Sequence, residues 1–484
     1  MTNNITETNI IGGKVIASGG FGCVFNPQLR CQGALKRESG KISKLMTEKN
    51  ATLEYEEIRS IKEKLEDIKN YQNYFLLKDI TICKPEKLTS DDLQNFNKKC
   101  TILKKYNITK KNINKNIEKI SILNMPDGGI PVDDYFYDNG SFQKLYLIHL
   151  KLVQLLKHGI INMNKKNIYH ADIKDSNVLV DDKNELKTRL IDWGLSTQYI
   201  PFQNNPFPKN LRNRPFQFNV PFSVIIFSDS FIERYTKFIE DGGKYNDTVE
   251  LKTFVISYIH FWMKERGAGH YKFINEIMYT LFSHSLNAVS KDEMTRVIET
   301  QITMNFITNY ITDVLIHFTK FKKDGSLNLR EYFDKVFIKI LDIWGFICIY
   351  YPILEVFSNN YNTLTDSEML IFNKLQFIFV EYLYNPRHEP IDLIKLYSDL
   401  EDLGNLIKPI FKENVSTSYK TVSKNKSSKT VTASRKSKRY PNKVNSKTKK
   451  LQQTTKSVTT SSFSFKRKQP VKRFKKPIFF SKNK

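Results

Sequence analysis

Nine consecutive residues, Tyr169-His170-Ala171-Asp172-Ile173-Lys174-Asp175-Ser176-Asn177, constrain this chain more than any other stretch. A short apolar strand, Val178-Leu179-Val180, comes directly after them. Leu190-Ile191 then runs into Asp192-Trp193-Gly194, with Asp192 fifteen positions beyond Asn177. Strands on either side of a polar loop hold its side chains at one sheet end. There, Asp172, Lys174 and Asn177 stand at spacings D, D+2 and D+5. The set suits phosphoryl transfer from a magnesium nucleotide. One Asp can orient a hydroxyl and the Lys can neutralise a moving phosphate, while an Asn and a second Asp can hold a hard cation through oxygen.

A nucleotide also needs a phosphate cradle, and residues 14–25 read as a strand, a glycine-containing turn and a second strand. The segment Ile16-Ala17-Ser18-Gly19-Gly20-Phe21-Gly22-Cys23-Val24 lets backbone amides approach phosphate oxygens with no Cβ in the way. A plain glycine-rich hairpin looks the same, so its weight comes from the lysine and the helix downstream of it. Ile42-Ser43-Lys44-Leu45-Met46 is a short apolar strand with one embedded lysine, which makes Lys44 the favoured phosphate ligand. Lys36, after Ala34-Leu35, is its rival but runs straight into the loop-like Arg37-Glu38-Ser39-Gly40. Residues 51–65 place Leu53, Ile58, Ile61 and Leu65 near one helical face. That helix should supply a carboxylate to hold the lysine. Glu54, Glu56 and Glu57 compete, and Glu57, just ahead of Ile58, is favoured.

Downstream, the apolar Ser121-Ile122-Leu123-Asn124-Met125 ends in Pro126 and Gly128-Gly129, as a connector between lobes would. Residues 84–118 are rich in Lys and Asn and read as an insertion. Leu145, Ile148, Leu152 and Leu155 fall at helical spacing, with Gly159 as the expected stop. Residues 221–410 carry few turn signals and are expected to be mostly helical. The apolar run from Ile343 to Leu354, bounded by Asp342 and Glu355, is too short for the ~20 residues that span a bilayer. It reads as a core helix, and no transmembrane segment is expected.

The net charge of +26 suggests a nucleic-acid binder until it is located. Of the 76 Lys and Arg residues, 22 fall in 415–484, which holds no Asp or Glu; the other 54 face 50 acidic residues. The basicity therefore belongs to a Ser/Thr/Lys-rich tail too polar to pack, and 415–484 is expected to be disordered. Its Lys466-to-Lys476 run, with phenylalanines interleaved nearby, could take nucleic acid or another polyanion. Five scattered cysteines (Cys23, Cys31, Cys83, Cys100, Cys348) and a start without a secretory signal read as a reduced, intracellular protein.

Taken together, these residues resemble the eukaryotic-type protein kinases, over residues 12 to about 400 and most strongly at 16–25 and 168–195. The glycine-rich loop of that family matches at Gly19, Phe21, Gly22 and Val24, with Ala17 at its first Gly. Its catalytic loop matches at His170, Asp172, Lys174 and Asn177, and its metal-binding triplet at Asp192 and Gly194, with Trp193 for Phe. The combination Gly-Gly-Phe-Gly-Cys-Val-Phe with Ser-Lys-Leu-Met is similar to the serine/threonine-protein kinases of giant DNA viruses.

The resemblance implies an α+β, protein-kinase-like bilobal fold over 12–410, after an N-terminal extension, 1–11. A small β-rich N-lobe with one main helix (about 12–124) would precede a larger, mostly helical C-lobe (about 130–410). It also implies an ATP site at Ile16 to Val24, Lys44, Glu57 and Met125, Mg2+ at Asn177 and Asp192, and Asp172 as proton acceptor with Lys174 beside it. Lys174 points to serine and threonine acceptors on protein substrates. An inactive kinase-fold scaffold and a small-molecule kinase are the rival readings. Ala171 stands where the family usually has Arg, which removes the usual receiver of an activating phosphate. Asn219-Val220-Pro221-Phe222-Ser223 is the candidate for the otherwise unmatched end of the activation segment.

Overall fold

The computed structural model describes residues 12–139, 144–203, 205–286, 290–319 and 329–421, with side chains to 136 before the first gap and to 409 at the end. Strands β1 (Lys14–Ser18), β2 (Gly22–Asn26), β3 (Lys41–Thr47), β4 (Thr81–Cys83) and β5 (Ile120–Pro126) form one antiparallel sheet in the order β1-β2-β3-β5-β4. Successive side chains of a strand point to opposite faces, so β3 divides its residues between two cores. Met46 joins the larger core on one face, whereas Leu45 joins a smaller core on the other. Register pairs Ala17 with Val24, Val24 with Lys44 and Lys44 with Leu123, placing these four on the face of the larger core.

Helix α1 (Glu48–Leu65) covers that face. It starts where the Thr47 side chain accepts the Asn50 amide, and Glu48 lies in the first turn, where the helix dipole favours an acid. Its buried residues are Ala51, Ile58, Ile61 and Leu65. Leu53, expected on the buried face, is 60% exposed. The buried stripe runs 51, 58, 61, 65, with Ala51 in place of Leu53 and the other three positions as expected.

The 84–118 insertion covers the opposite face. Leu88, Phe96, Leu103, Ile108 and Ile113 pack with Val15, Phe25 and Leu45 through a series of short helical turns. Asp92 anchors it, accepting the Gly13 amide at 2.7 Å and pairing with Arg37 at 3.0 Å. The expectation of reduced cysteines is corrected here. Cys23 of β2 is bonded to Cys100 of the insertion, and Cys31 to Cys83 of β4, leaving Cys348 as the one free cysteine among the described residues. Separations of 77 and 52 residues hide these pairs in the sequence; the packing of the insertion on the sheet and the Cys31–Pro85 bridge beside β4 bring them together.

After β5, Gly128 and Gly129 carry the chain into β6 (Ile130–Pro131), which pairs with β7 (Val178–Asp181), and β7 pairs with β8 (Lys187–Leu190). Gly129 has φ +98°, and a Cβ there would lie 2.0 Å from the Val180 carbonyl oxygen, so only glycine fits. Helix α2 (Leu145–Gln154) does not stop at Gly159. It continues through a π turn, Leu155–Ile160, into α3 (Ile161–Lys165). The glycine serves contact instead, because a Cβ at Gly159 would meet Tyr74 Cβ at 2.9 Å.

Apart from a two-stranded pairing of Ile168–Tyr169 with Thr197–Gln198, the remainder is mostly helical, giving a mixed α+β protein with small antiparallel sheets and many helices. Helices α4 (Ile338–Cys348) and α5 (Tyr351–Asn359) run through the centre of the larger core. The span Arg330–Asn359 is long and apolar enough for a membrane by composition, but 94% of its most apolar 18-residue window is buried inside the protein. It is a core element here, as its sequence suggested. The last helix, Leu393–Thr421, extends past the expected onset of disorder near 414, and 422–484 lie outside the described residues.

Candidate active site

The turn between β1 and β2 is closed by the Gly19 amide donating to the Gly22 carbonyl at 2.8 Å. Ser18, Gly19, Gly20 and Phe21 are exposed at its tip. Gly20 has nothing within 4 Å of an added Cβ, so backbone amides are open to a ligand there. Gly22 is needed for packing instead, since a Cβ would fall 2.3 Å from Met46 Cγ and 2.7 Å from the Leu45 carbonyl oxygen. Cys23 points away from the cleft into its disulfide, and Ile16 faces solvent beside a bulge. Of the side chains in this segment, Ala17 and Val24 share the row of Lys44.

Lys44 Nζ donates to both oxygens of Glu54, at 2.6 and 2.8 Å, with both side chains mostly buried. Glu57, the favoured partner from sequence, does not make this pair. It accepts from Ser196 Oγ at 3.4 Å, and burial pushes its carboxyl up while the Ser196 bond opposes. The reason is helical phase: Glu54 stands three residues after Ala51 and four before Ile58, within the buried stripe, whereas Glu57 is next to Ile58 in sequence and so lies beside the stripe. Lys36 lies in the loop outside the cleft sheet, so of the two lysines Lys44 is the one on the strand facing α1. Met125 sits at the end of β5 opposite Ile42.

Asp192 reaches the same place from the other half of the chain. Its carboxylate is half exposed and lies 4.0 Å from Lys44 Nζ. Its backbone has φ +65°, a left-handed turn. The Phe21 ring hangs over this turn, since a Cβ on Gly194 would meet Phe21 Cε2 at 4.0 Å and Asp192 Oδ1 at 3.9 Å. The Ile191 amide donates to the Asn177 carbonyl at 3.0 Å, which ties the Asp192 turn to the Asp172–Asn177 loop.

Within that loop Asp172 is the centre. Its Oδ2 accepts from Lys174 Nζ at 2.8 Å and from Asn177 Nδ2 at 3.0 Å, and its Oδ1 accepts from Asn219 Nδ2 at 2.8 Å. Burial pushes the Asp172 carboxyl up, but Lys174, Asn219 and Arg214 together outweigh it and hold it below the usual carboxylate range. It is therefore an ionised acceptor at neutral pH. Asn177 commits its Nδ2 to Asp172, which leaves its Oδ1 as the acceptor of the side chain. An amide oxygen and a half-exposed carboxylate on neighbouring backbones are hard oxygen donors, which fits a magnesium ion. An open glycine turn and a fixed lysine fit the phosphates of its nucleotide.

The loop is held from below by a residue the sequence reading took only as the edge of an apolar run. Asp342 of α4, fully buried, accepts from the His170 amide at 2.9 Å, the Ala171 amide at 2.8 Å and Asn164 Nδ2 at 2.7 Å. Ala171 takes φ +57°, and its small side chain tolerates this turn at modest cost. His170 Nε2 donates to the Ile191 carbonyl at 3.0 Å and its ring lies 4.9 Å from Trp193, which packs edge-on against Phe75. His170 and Trp193 thus brace the two loops together.

Asn219 belongs to the candidate activation-segment end, and its bond to Asp172 is a role that motif spacing could not reveal. Asp342 had one signal, an acid directly at the edge of the apolar Ile343–Leu354 run. No protein-family model matches the chain, and no curated protein matches its sequence.

Proposed function

We propose that this chain is a protein kinase with a bilobal, kinase-like fold that transfers the γ-phosphoryl group of Mg-ATP to serine or threonine hydroxyls of protein substrates. One observation carries the reading. The Lys44–Glu54 pair, Asp192, and the Asp172–Lys174–Asn177 loop come from distant parts of the sequence and are brought together, with Lys44 4.0 Å from Asp192 and the Ile191 amide bonded to the Asn177 carbonyl. When bound, the magnesium nucleotide supplies the transferable phosphoryl group and the cation that screens its charge.

The residues of the chain do the rest. The glycine turn and Lys44 bind phosphate oxygens, with Glu54 fixing the lysine. Asn177 Oδ1 and the Asp192 carboxylate would hold the cation. Asp172 aligns the acceptor hydroxyl and takes its proton as the hydroxyl oxygen bonds to the γ-phosphorus and the bond to the β,γ-bridging oxygen breaks, releasing ADP. Lys174, 2.8 Å from Asp172, screens the charge that passes between them. Every group this chemistry needs is present, which favours an enzyme over an inactive scaffold. The basic residues of 415–484 carry the charge for a polyanion partner and take no part in these steps.

The test is phosphotransfer from radiolabelled ATP to protein substrates, comparing the wild type with Asp172→Ala. We expect phosphoserine or phosphothreonine from the wild type alone. Equal labelling by both proteins would exclude the proposal.

A further inference from the structure

Asp172 is held by Lys174 and Asn177 of its own loop and, from outside, by the segment after Gly194. That segment brings in Arg214 as well as Asn219. Arg214 belongs to none of the phosphate- or cation-binding groups. Its side chain is 5% exposed. Nη1 donates to the Ala171 carbonyl at 2.8 Å, and Nη2 lies 3.9 Å from Asp172 Oδ1 with no hydrogen bond of its own. Trp262, on the helix Thr248–Arg266, donates its indole N–H to the Arg214 carbonyl at 3.2 Å and fixes the backbone from behind.

A guanidinium buried this deeply is costly, and an apolar side chain of similar length would fill the space at less cost. What an apolar chain cannot do is grip two points at once. The carbonyl that Arg214 holds belongs to Ala171, whose left-handed φ of +57° aims the next residue, Asp172, into the cleft. Ala171, the residue before Asp172, is thus pinned on both sides: its N–H by Asp342 and its carbonyl by Arg214. Burial lowers the guanidinium to about 10, with Asp172 and Asp342 opposing, so it stays charged at neutral pH. Lysine offers a point charge without the planar fork and cannot reproduce both contacts.

We propose that Arg214 is a positioning residue for the phosphotransfer, bridging the Ala171 carbonyl and the Asp172 carboxylate so that Asp172 faces the acceptor hydroxyl. The inference rests on the proposed kinase reading. It predicts a defect in turnover and none in nucleotide binding, because Arg214 makes no contact with the β1–β2 turn, Lys44 or Asp192.

The experiment measures kcat, KM for ATP and cooperative thermal melting on the full chain as wild type, Arg214→Met and Arg214→Lys. A reactive group displaced by about 1 Å can cost on the order of 100-fold in rate. We therefore expect Arg214→Met to melt cooperatively, to keep KM for ATP within about twofold, and to lose on the order of 100-fold in kcat. Arg214→Lys should fall between it and the wild type. Wild-type kcat in Arg214→Met overturns the inference, as does a parallel loss of kcat and ATP affinity in both variants. Should Arg214→Met fail to fold, Arg214→Lys decides alone: reduced kcat at unchanged KM supports the role and wild-type kcat overturns it. A wild type with no Asp172-dependent transfer overturns both readings, whereas an active wild type matched by Arg214→Met overturns this one only.

Discussion

Replacing Asp342 by Asn tests how the Asp172–Asn177 loop is held. The carboxylate accepts three N–H donors at 2.7–2.9 Å in a fully buried site. Asparagine offers one acceptor oxygen. With that oxygen at the Oδ2 position it keeps His170 N and Asn164 Nδ2, but its own NH2 then faces the Ala171 N–H. One hydrogen bond to a charged group, worth about 1.5–3 kcal/mol, is lost and the other two weaken. Burial pushes the Asp342 carboxyl up, with His170 and the N–H donors opposing, so neutralising it returns part of that cost. A net loss of about 2 kcal/mol, local to the loop, corresponds to roughly 30-fold faster amide exchange where opening is local. Hydrogen-exchange mass spectrometry of a peptide spanning 168–177 reads this directly, alongside kcat, which should fall at least about tenfold as Asp172 loses its aim. Exchange of that peptide within about threefold of wild type, at unchanged kcat, would refute the clamp.

The remaining expectations concern the lysine pair, the disulfides and pH. Glu54→Gln should raise KM for ATP by about an order of magnitude, as removing one partner of a mostly buried pair does, while Glu57→Gln stays near wild type; equal effects would contradict the pairing. Alkylation of the denatured, non-reduced chain followed by peptide mapping should modify Cys348 and recover the Cys23–Cys100 and Cys31–Cys83 cross-links; reduction should then lower the melting temperature, since each long loop closure is worth up to about 4 kcal/mol. Burial lowers His149 to about 4, with a hydrogen bond to the Leu400 backbone opposing. The native state therefore refuses a proton that the unfolded chain accepts near 6.5. Its contribution is present above that pH and is lost as pH falls from 6.5 towards 4, to a limit of about 3 kcal/mol. His149→Gln should flatten urea stability over that window, and an unchanged acid limb would argue against it.

Local spacing made the Asp172–Asn177 loop, the Asp192 turn, the glycine hairpin and Lys44 legible, because each is a short stretch whose backbone and side-chain needs are met by near neighbours. The apolar run at 343–354 likewise read as core. The Glu54 and Gly159 readings depended on helical phase and on a packing partner, and near neighbours settle neither. Ala51, too small to mark a face by hydropathy, sets the phase of α1, while Tyr74, far along the chain, explains Gly159.

The sequence by itself determined which chemical groups the chain owns and their order: a cradle, a lysine, an acidic helix, two loops bearing oxygen donors, and a basic tail. Tertiary structure alone decided which of them meet. It chose Glu54 over Glu57, joined Cys23 to Cys100 across 77 residues, and set Asp342 and Arg214 on either side of one residue, Ala171. The physical reason is range. A motif encodes contacts closed within a few residues, whereas a buried charge is placed by whichever distant donors the packed core brings within about 3 Å of it.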